Sequence, residues 1–217
     1  MNQRDYSSEP YLLEACVETL SQAQQAQDRG AHQIELCADL SVGGITPSRE
    51  LIKEARRTLI LNIKVMIRPR GGNFVYSIEE IEQMKQSILF CKSLSINGVV
   101  FGVLHSDNSL NLEHIQVLAE LAAPMEVTIH RAIDETPDLL EATRALIQVG
   151  DVNCILSSGQ ANTAMEGSDL LHKMVQLADG RIRIIPAGKV SSGNVEELHS
   201  IIGAGVYHGT KIVGRLT

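Results

Sequence analysis

Two arginines stand where a buried strand of this sequence has to stop. Residues 65–77 read VMIRPRGGNFVYS and begin as an apolar run. Pro69 cannot continue a central strand ladder, and the two glycines after Arg70 let the backbone turn sharply or approach a ligand closely. We therefore expect Arg68 and Arg70 to lie at a strand end and to face an anion.

Polar and apolar side chains alternate along several other strand-like runs. Successive side chains of a strand point to opposite faces, so the polar members of each run share one face. The inward-facing set is predicted to contain Glu14, Cys16, Glu35, Cys37, Lys64, Met66, Arg68, Glu126, Thr128 and His130. The two glutamates nearest the N-terminus are 21 residues apart, as are the two cysteines that follow them. We expect each of these pairs to lie close together.

These residue types are suited to acid–base chemistry, because a carboxylate beside a histidine can take up and release protons. The candidate catalytic residues are Glu14, Glu35, Arg68, His130, Asp134, Ser158 and His208. Buried glutamates also need cations nearby, so a purely structural ion network would give the same pattern. Asp134 could instead only orient Arg131 or cap the next turn, and His208 could be a core histidine.

Eight strand-like runs alternate with amphipathic helical patterns. The runs begin, at intervals of 21 to 36 residues, near Leu12, Gln33, Asn62, Gly98, Glu126, Asn153, Arg181 and Val206. Their spacing and their Val, Ile and Leu content predict an α/β fold, a TIM (β/α)8 barrel. A doubly wound open sheet is the alternative. The first strand is not followed by a G-x-G-x-x-G turn, which disfavours that alternative.

Cationic and hydroxyl side chains are expected at the rim of this barrel. Arginine can hold a carboxylate or a phosphate through two hydrogen bonds, and many barrels bind phosphate after strands seven and eight. The candidate substrate-binding residues are Arg70, Arg131, Lys189 and Thr210. The expected ligand is a small carboxylated or phosphorylated molecule.

Length and composition favour one domain. The chain has 217 residues and 44% hydrophobic content, with no linker-like stretch. We expect residues 1–10 to form a polar N-terminal tail and residues 11–217 to form the barrel. About four residues remain after the eighth strand, which predicts that the final helix is missing. We expect the tail or a partner subunit to cover the gap, as in a homodimer or higher homo-oligomer.

Charge and hydropathy exclude several classes of partner. The formal net charge is -7, so nucleic acid is not an expected partner. No apolar run reaches the roughly 18 residues that a spanning helix needs, and no signal-type segment begins the chain. We therefore expect no membrane partner and a cytoplasmic location. The four cysteines show no CxxC spacing and are expected to be reduced thiols.

Several short motifs, taken together and in order, resemble the CutC family, which is named for copper homeostasis. They are GGITPS at 43–48, RPRGG at 68–72, FGVL at 101–104, HRAID at 130–134 and SSG at 157–159, together with Glu14, Cys16, Glu35 and Cys37. The resemblance runs from about Leu12 to His208. It implies a cytoplasmic TIM-type barrel, often oligomeric, that takes part in copper handling and binds Cu(I). The sequence departs from the family at Lys189, where relatives often have small residues, and lacks the segment that usually follows strand eight.

The resemblance also implies metal ligands. The family's proposed Cu(I) ligands are cysteines at the ends of the first two strands, which match Cys16 and Cys37. Cu(I) is soft and accepts thiolates in low coordination numbers, and neighbouring strands lie only about 4.8 Å apart. The alternative is that both cysteines are small buried hydrophobes, as free cysteines often are.

Two functions therefore compete. One is copper homeostasis with Cu(I) bound by the two cysteines. The other is a barrel enzyme that acts on a small anionic substrate through a pocket of Glu, Arg and His residues, with the reaction left open because no nucleophile motif is present. A scaffold without either activity is the weakest interpretation, since the inward charges would then serve no purpose.

Overall fold

Eight parallel strands form a nearly closed barrel in the computed structural model, which describes residues 9–217. The strands are β1 (Leu12–Val17), β2 (Gln33–Leu36), β3 (Asn62–Met66), β4 (Gly98–Phe101), β5 (Glu126–Ile129), β6 (Cys154–Ser157), β7 (Arg183–Pro186) and β8 (Val206–Gly209). The predicted barrel is confirmed. Residues 1–8 of the predicted N-terminal tail lie outside the described residues, and Glu9 and Pro10 are exposed.

Helices connect the strands on the outside of the barrel. They are α1 (Leu20–Asp28), α2 (Arg49–Thr58), α3 (Ile78–Ser93), α4 (Leu112–Ala122), α5 (Leu139–Val149), α6 (Ser168–Ala178) and α7 (Val195–Ile202), with short 3-10 turns at Leu40–Val42 and Arg131–Glu135. Polar side chains cap several N-termini, and Ser77 forms a reciprocal capping box with Glu80 at the start of α3. None of the helices within residues 9–217 has both the length and the apolar character needed to cross a membrane.

Hydrogen-bonded pairing follows chain order from β1 to β7, and β8 pairs with β1. No ladder joins β7 to β8, although both strands lie within the described part of the chain. The seam is closed just beyond the strand ends, where Ser191 and Lys211 form a parallel bridge. A Cβ on Gly209 would lie only 2.2 Å from the carbonyl oxygen of Val190, so glycine is required for this close approach.

Side-chain alternation separates two environments. The large apolar cluster between strands and helices contains the apolar residues that alternate with the predicted inward-facing set, including Ala15, Ile34, Val65 and Val127. Two smaller clusters fill the barrel interior, one containing Cys16, Cys37, Met66 and Val100 and the other containing Cys154, Leu156, Ile185, Ala187 and Val206. The remaining interior positions are polar, so the barrel core is not purely apolar.

The described chain has no helix after β8. Instead, residues 210–217 run back along α1, where the Gln25 side chain donates to the carbonyl oxygen of Thr217 at 2.7 Å and Arg29 donates to that of Arg215 at 2.6 Å. On the side of α7, the ring of Tyr11 packs against His199 and Tyr207. The prediction that the tail covers this side falls mainly on residues 1–8, which lie outside the described range, and coverage by a partner subunit stays a prediction.

Candidate functional site

A pocket of about 250 Å³ opens at the C-terminal ends of the strands. Nine of the thirteen predicted site residues line it, namely Cys16, Glu35, Cys37, Arg68, His130, Arg131, Lys189, His208 and Thr210. The other four, Glu14, Arg70, Asp134 and Ser158, are not part of its lining. A larger groove of about 720 Å³ lies on the outer surface beside α2 and α3 and contains none of the thirteen.

The two cysteines meet at the base of this pocket. Cys16 near the end of β1 and Cys37 directly after β2 are both buried, and their Sγ atoms are 3.9 Å apart. Strand pairing places Cys16 opposite Glu35, and the backbone N–H of Cys37 donates to Val17. One oxygen of Glu35 and the two sulfurs all lie within 4.8 Å of one another. This is a compact group of three potential metal ligands.

A chain of charged groups lies beneath the cysteines. Lys64 Nζ is 3.3 Å from Glu14 Oε2, which also accepts a 2.7 Å hydrogen bond from the side chain of Gln33. Glu14 Oε1 is 2.9 Å from His208 Nδ1, and the other ring nitrogen of His208 is 3.5 Å from Glu35 Oε2. Glu14 and Glu35 are therefore neighbours through the imidazole of His208. All five side chains are nearly inaccessible to solvent.

Electrostatic interactions among these buried groups shift their pKa values. Burial alone would raise the pKa of Glu14, but Lys64 and His208 lower it to about 2. Burial lowers the pKa of His208, yet Glu35, Cys16 and Glu14 together raise it well above its ordinary value. Glu14 and His208 consequently form a charged pair at neutral pH.

The pKa values of Glu35 and the two cysteines are shifted by burial and by one another. Burial, followed by the nearby Cys16 sulfur, raises the pKa of Glu35 to about 8. The hydrogen bond between the two sulfurs lowers the pKa of Cys16 to about 5 and raises that of Cys37 well above its ordinary value. Cys16 is therefore the more acidic of the two thiols, and the pKa of Glu35 is shifted towards its protonated form.

Arg68 occupies the pocket wall after β3. Its Nη1 donates to the carbonyl oxygens of Val42 at 2.9 Å and Gly44 at 3.0 Å, and its Nη2 donates to that of Gly72 at 2.7 Å. These bonds fix the guanidinium and tie the loops after β2 and β3 together. Only its Nε has no hydrogen-bond partner among the described residues.

His130 follows β5 and is fully desolvated. Its Nδ1 accepts a 3.2 Å hydrogen bond from the backbone N–H of Ala132, and its Nε2 has no partner within the described chain. Burial, and then the charge of Arg68, lower the pKa of His130 to about 3, so the ring is neutral. A Cβ on Gly102 would lie 2.7 Å from His130 Nδ1, so glycine makes room for the ring.

Arg70 is turned away from the pocket. Its Nε donates to Glu80 at 2.6 Å, and Glu80 in turn accepts from the backbone N–H of Ser77 in the capping box of α3. Arg70 also donates to the backbone carbonyls of Gly71, Asn73 and Val75. The structure therefore gives Arg70 a loop-ordering position, although it is adjacent in sequence to the pocket.

Asp134 and Ser158 form a network behind the rim. Asp134 accepts hydrogen bonds from Ser157 Oγ at 2.5 Å and from the backbone N–H of Ser158 at 2.9 Å. It also pairs with Arg131 at 3.0 Å, and Arg131 donates to Ser158 Oγ at 2.7 Å. Asp134 thus orients Arg131, which was the alternative role considered for it, and Arg131 lines the pocket.

Comparisons with known proteins agree with this architecture. The sequence profile of the CutC family matches residues 11–213. The chain belongs to the CutC family. It is 37% identical over 198 residues to the human copper homeostasis protein cutC homolog, covering 91% of this chain and 72% of that protein. It is 39% identical to a CutC family protein of Parabacteroides distasonis, covering 91% and 81%. The crystal structure of CutC from Streptococcus agalactiae superposes with a TM-score of 0.88 at 33% identity, covering 93% and 99%.

The sequence reasoning missed two residues at the site of this CutC family member, namely Phe74, which lines the pocket, and Gly102, which lies beside the pocket-lining His130. The ring of Phe74 lies 4.8 Å from that of His130 and 4.8 Å from the guanidinium carbon of Arg68. Gly102 accommodates His130 but was seen only as part of the FGVL run. The signal for Phe74 was an apolar residue inside a polar, glycine-rich loop. The signal for Gly102 was a glycine directly after a strand end.

Proposed function

We propose that this CutC family member contributes to copper homeostasis by binding Cu(I) through Cys16 and Cys37. The observation that carries the proposal is the pair of buried sulfurs 3.9 Å apart. Bonds from a metal to two thiolates, each about 2.3 Å long as for zinc, can bridge that distance without moving either strand. The residues present therefore fit the metal that the family name implies.

The number and type of donors favour Cu(I) over zinc. A structural zinc site takes four ligands, whereas the residues described here bring two sulfurs and one carboxyl oxygen within 4.8 Å. Thiolates are the soft ligands that Cu(I) prefers. The low pKa of Cys16 supplies one thiolate at neutral pH, and binding would release the proton of Cys37.

A Cu(I) competition titration against a chromogenic chelator tests this proposal. We expect Cys16→Ser and Cys37→Ser each to lower the Cu(I) affinity of the protein strongly. Cys91→Ser is the matched control, because Cys91 is also a buried free cysteine but lies on α3. Equal affinity in all four proteins would end the copper proposal.

A second candidate function is an enzyme, or at least a binding site, for a small carboxylated or phosphorylated molecule. It is supported by three cationic side chains on the pocket lining, those of Arg68, Arg131 and Lys189. The raised pKa of Glu35, which also lines the pocket, reduces the negative charge that this side chain would present to an anion. Thermal-shift assays with sugar phosphates separate the two candidates. A shift lost in Lys189→Met but kept in Cys16→Ser would favour the anion-binding function.

We also propose that the protein acts in the cytoplasm as a homo-oligomer. The support comes from Ile78, which at 82% is the most accessible of the exposed large hydrophobic side chains among the described residues. Ile78 also lines the groove beside α2 and α3. Sedimentation velocity tests the proposal. If both the unsubstituted protein and the Ile78→Ser variant sediment as monomers at micromolar concentration, the proposal is contradicted.

A further inference from the structure

Several buried polar atoms that lack a hydrogen-bond partner belong to side chains that line the pocket. Five buried side-chain polar atoms have no hydrogen-bond partner among the described residues, and three of them belong to pocket-lining side chains. They are Glu35 Oε1, Arg68 Nε and His130 Nε2. Buried polar groups are nearly always paired, so such a concentration at one site calls for a ligand that can pair with them.

Two of these atoms are hydrogen-bond donors in fixed positions. His130 accepts through Nδ1, so its neutral ring carries the hydrogen on Nε2. Arg68 donates three of its five N–H groups to backbone carbonyls through its terminal nitrogens, and its Nε is the one guanidinium nitrogen without a hydrogen-bond partner among the described residues. Both side chains are only 4% accessible, so each donor lies in a desolvated environment where a bond to an anionic oxygen is strong.

Phe74 packs against both side chains that carry these donors. Its ring lies 4.8 Å from the imidazole of His130 and 4.8 Å from the guanidinium carbon of Arg68, and it is itself part of the pocket lining. The ring is only half-buried and comes from the loop after β3, in which Gly72 has a φ of +83°. We infer that movement of this one side chain controls access to both donors from the pocket.

Lys189 supplies a second anchor across the pocket. It is exposed, lines the pocket and forms no ion pair with any residue in the described part of the chain. Its backbone has a φ of +57°, which is unusual for a residue other than glycine, and its carbonyl oxygen accepts a 3.0 Å hydrogen bond from Asn194. A strained backbone that presents an unpaired cation to a pocket is typical of a ligand-binding position.

We propose that Arg68 Nε and His130 Nε2 together bind a carboxylate of a small ligand, after Phe74 moves aside, and that Lys189 binds a phosphate on the same ligand. The proposal rests on the second candidate function and names its ligand class, a phosphorylated carboxylic acid of a few carbon atoms. The pocket volume of about 250 Å³ suits a molecule of that size.

Isothermal titration calorimetry with three probes tests which residues bind the carboxylate and which residue binds the phosphate. The probes are 3-phosphoglycerate, which has a carboxylate and a phosphate, glycerol 3-phosphate, which has only the phosphate, and glycerol. His130→Asn keeps an acceptor for the backbone N–H of Ala132 but removes the Nε2 donor. We expect this variant to weaken 3-phosphoglycerate binding by about tenfold to a hundredfold and to leave glycerol 3-phosphate binding within about twofold.

Lys189→Met should weaken both phosphorylated probes to a similar degree, and glycerol should not bind. Lys173→Met is the matched control, because Lys173 is an exposed lysine on α6 that does not line the pocket, and it should leave both affinities unchanged. Phe74→Ala should accelerate association of 3-phosphoglycerate in stopped-flow measurements, since both donors are then permanently exposed.

Each contrary result has its own meaning. If His130→Asn weakens both phosphorylated probes equally, or weakens neither, the donor pair does not bind the carboxylate. The second candidate function, binding of a small anion in the pocket, would still be supported. If neither anion binds at millimolar concentration, this proposal and the second candidate function both fail, and the copper proposal is untouched. The Arg68 Nε–H signal in ¹⁵N-edited NMR spectra decides the case without a variant. It should shift with 3-phosphoglycerate, and an unchanged signal means that Arg68 does not bind the carboxylate.

Discussion

Replacing Lys64 by Met removes one of the two cations beside the buried carboxylate of Glu14. Lys64 Nζ lies 3.3 Å from Glu14 Oε2, and the two side chains are 2% and 1% accessible. The fall of the Glu14 pKa from 4.5 to about 2 corresponds to about 3 kcal/mol at neutral pH, to which Lys64 and His208 both contribute. Removing one partner of a buried pair costs about 3 to 5 kcal/mol, because the other charge stays buried. We expect Lys64→Met to lower the free energy of unfolding by about 3 kcal/mol.

Urea unfolding at neutral pH measures this loss as a lower midpoint with an unchanged slope. The double variant Glu14→Gln/Lys64→Met is the control, because it leaves no uncompensated carboxylate. It should be more stable than Lys64→Met alone, which is a coupling that a double-mutant cycle detects. The reasoning is refuted if the stability loss of the double variant equals the sum of the losses measured for Glu14→Gln and for Lys64→Met.

The pH dependence of stability gives a second readout of the same pair. The pKa of Glu14 is lower in the folded chain than in the unfolded chain, so its contribution is present above about pH 4.5 and is lost as the pH falls towards 2. Lys64→Met should reduce this acid-induced loss, because the folded pKa then lies closer to 4.5. An identical acid profile in both proteins would contradict the assigned cause of the shift.

Three further predictions follow from individual contacts. The neutral His130 has a pKa of about 3 against an ordinary 6.5, so its contribution to stability should be lost as the pH falls from about 6.5 to about 3, and His130→Asn should flatten that part of the urea-unfolding profile. Gly102→Ala should cost about 1 to 3 kcal/mol in thermal unfolding, because its Cβ would lie 2.7 Å from His130 Nδ1. The matched variant Gly205→Ala meets no atom within 4 Å and should change stability by less than about 0.5 kcal/mol, and equal losses would argue against the steric cause. Ser77→Ala should cost about 1 kcal/mol in urea unfolding through loss of the capping box, whereas no loss would mean that Glu80 alone caps α3.

The barrel was predictable because its signals are local. Alternating side chains reveal a strand within four to six residues, and a capping serine such as Ser77 marks a helix start within one turn. The same alternation correctly placed Glu14, Cys16, Lys64 and Met66 inside the barrel. Parallel strands end at one rim, so most of the candidate residues met at one pocket.

The partners of those residues were not predictable in the same way. Arg68 and Arg70 are two positions apart in the same motif, yet Arg68 lines the pocket and Arg70 pairs with Glu80 on α3. The choice depends on where the chain goes after the turn, and no local pattern encodes that path. Phe74 and Gly102 likewise acquire their importance only from the position of the His130 ring.

The sequence by itself determined the eight-fold alternation, the inward side of each strand and the family, because these depend on the order of residue types along a few turns or strands. Only the tertiary structure decided that two sulfurs lie 3.9 Å apart, that His208 joins two glutamates and that Arg68 Nε and His130 Nε2 are left without partners among the described residues. Those features depend on strand register and on loop paths between residues far apart in the chain. They arise only when all the strands are assembled around one interior.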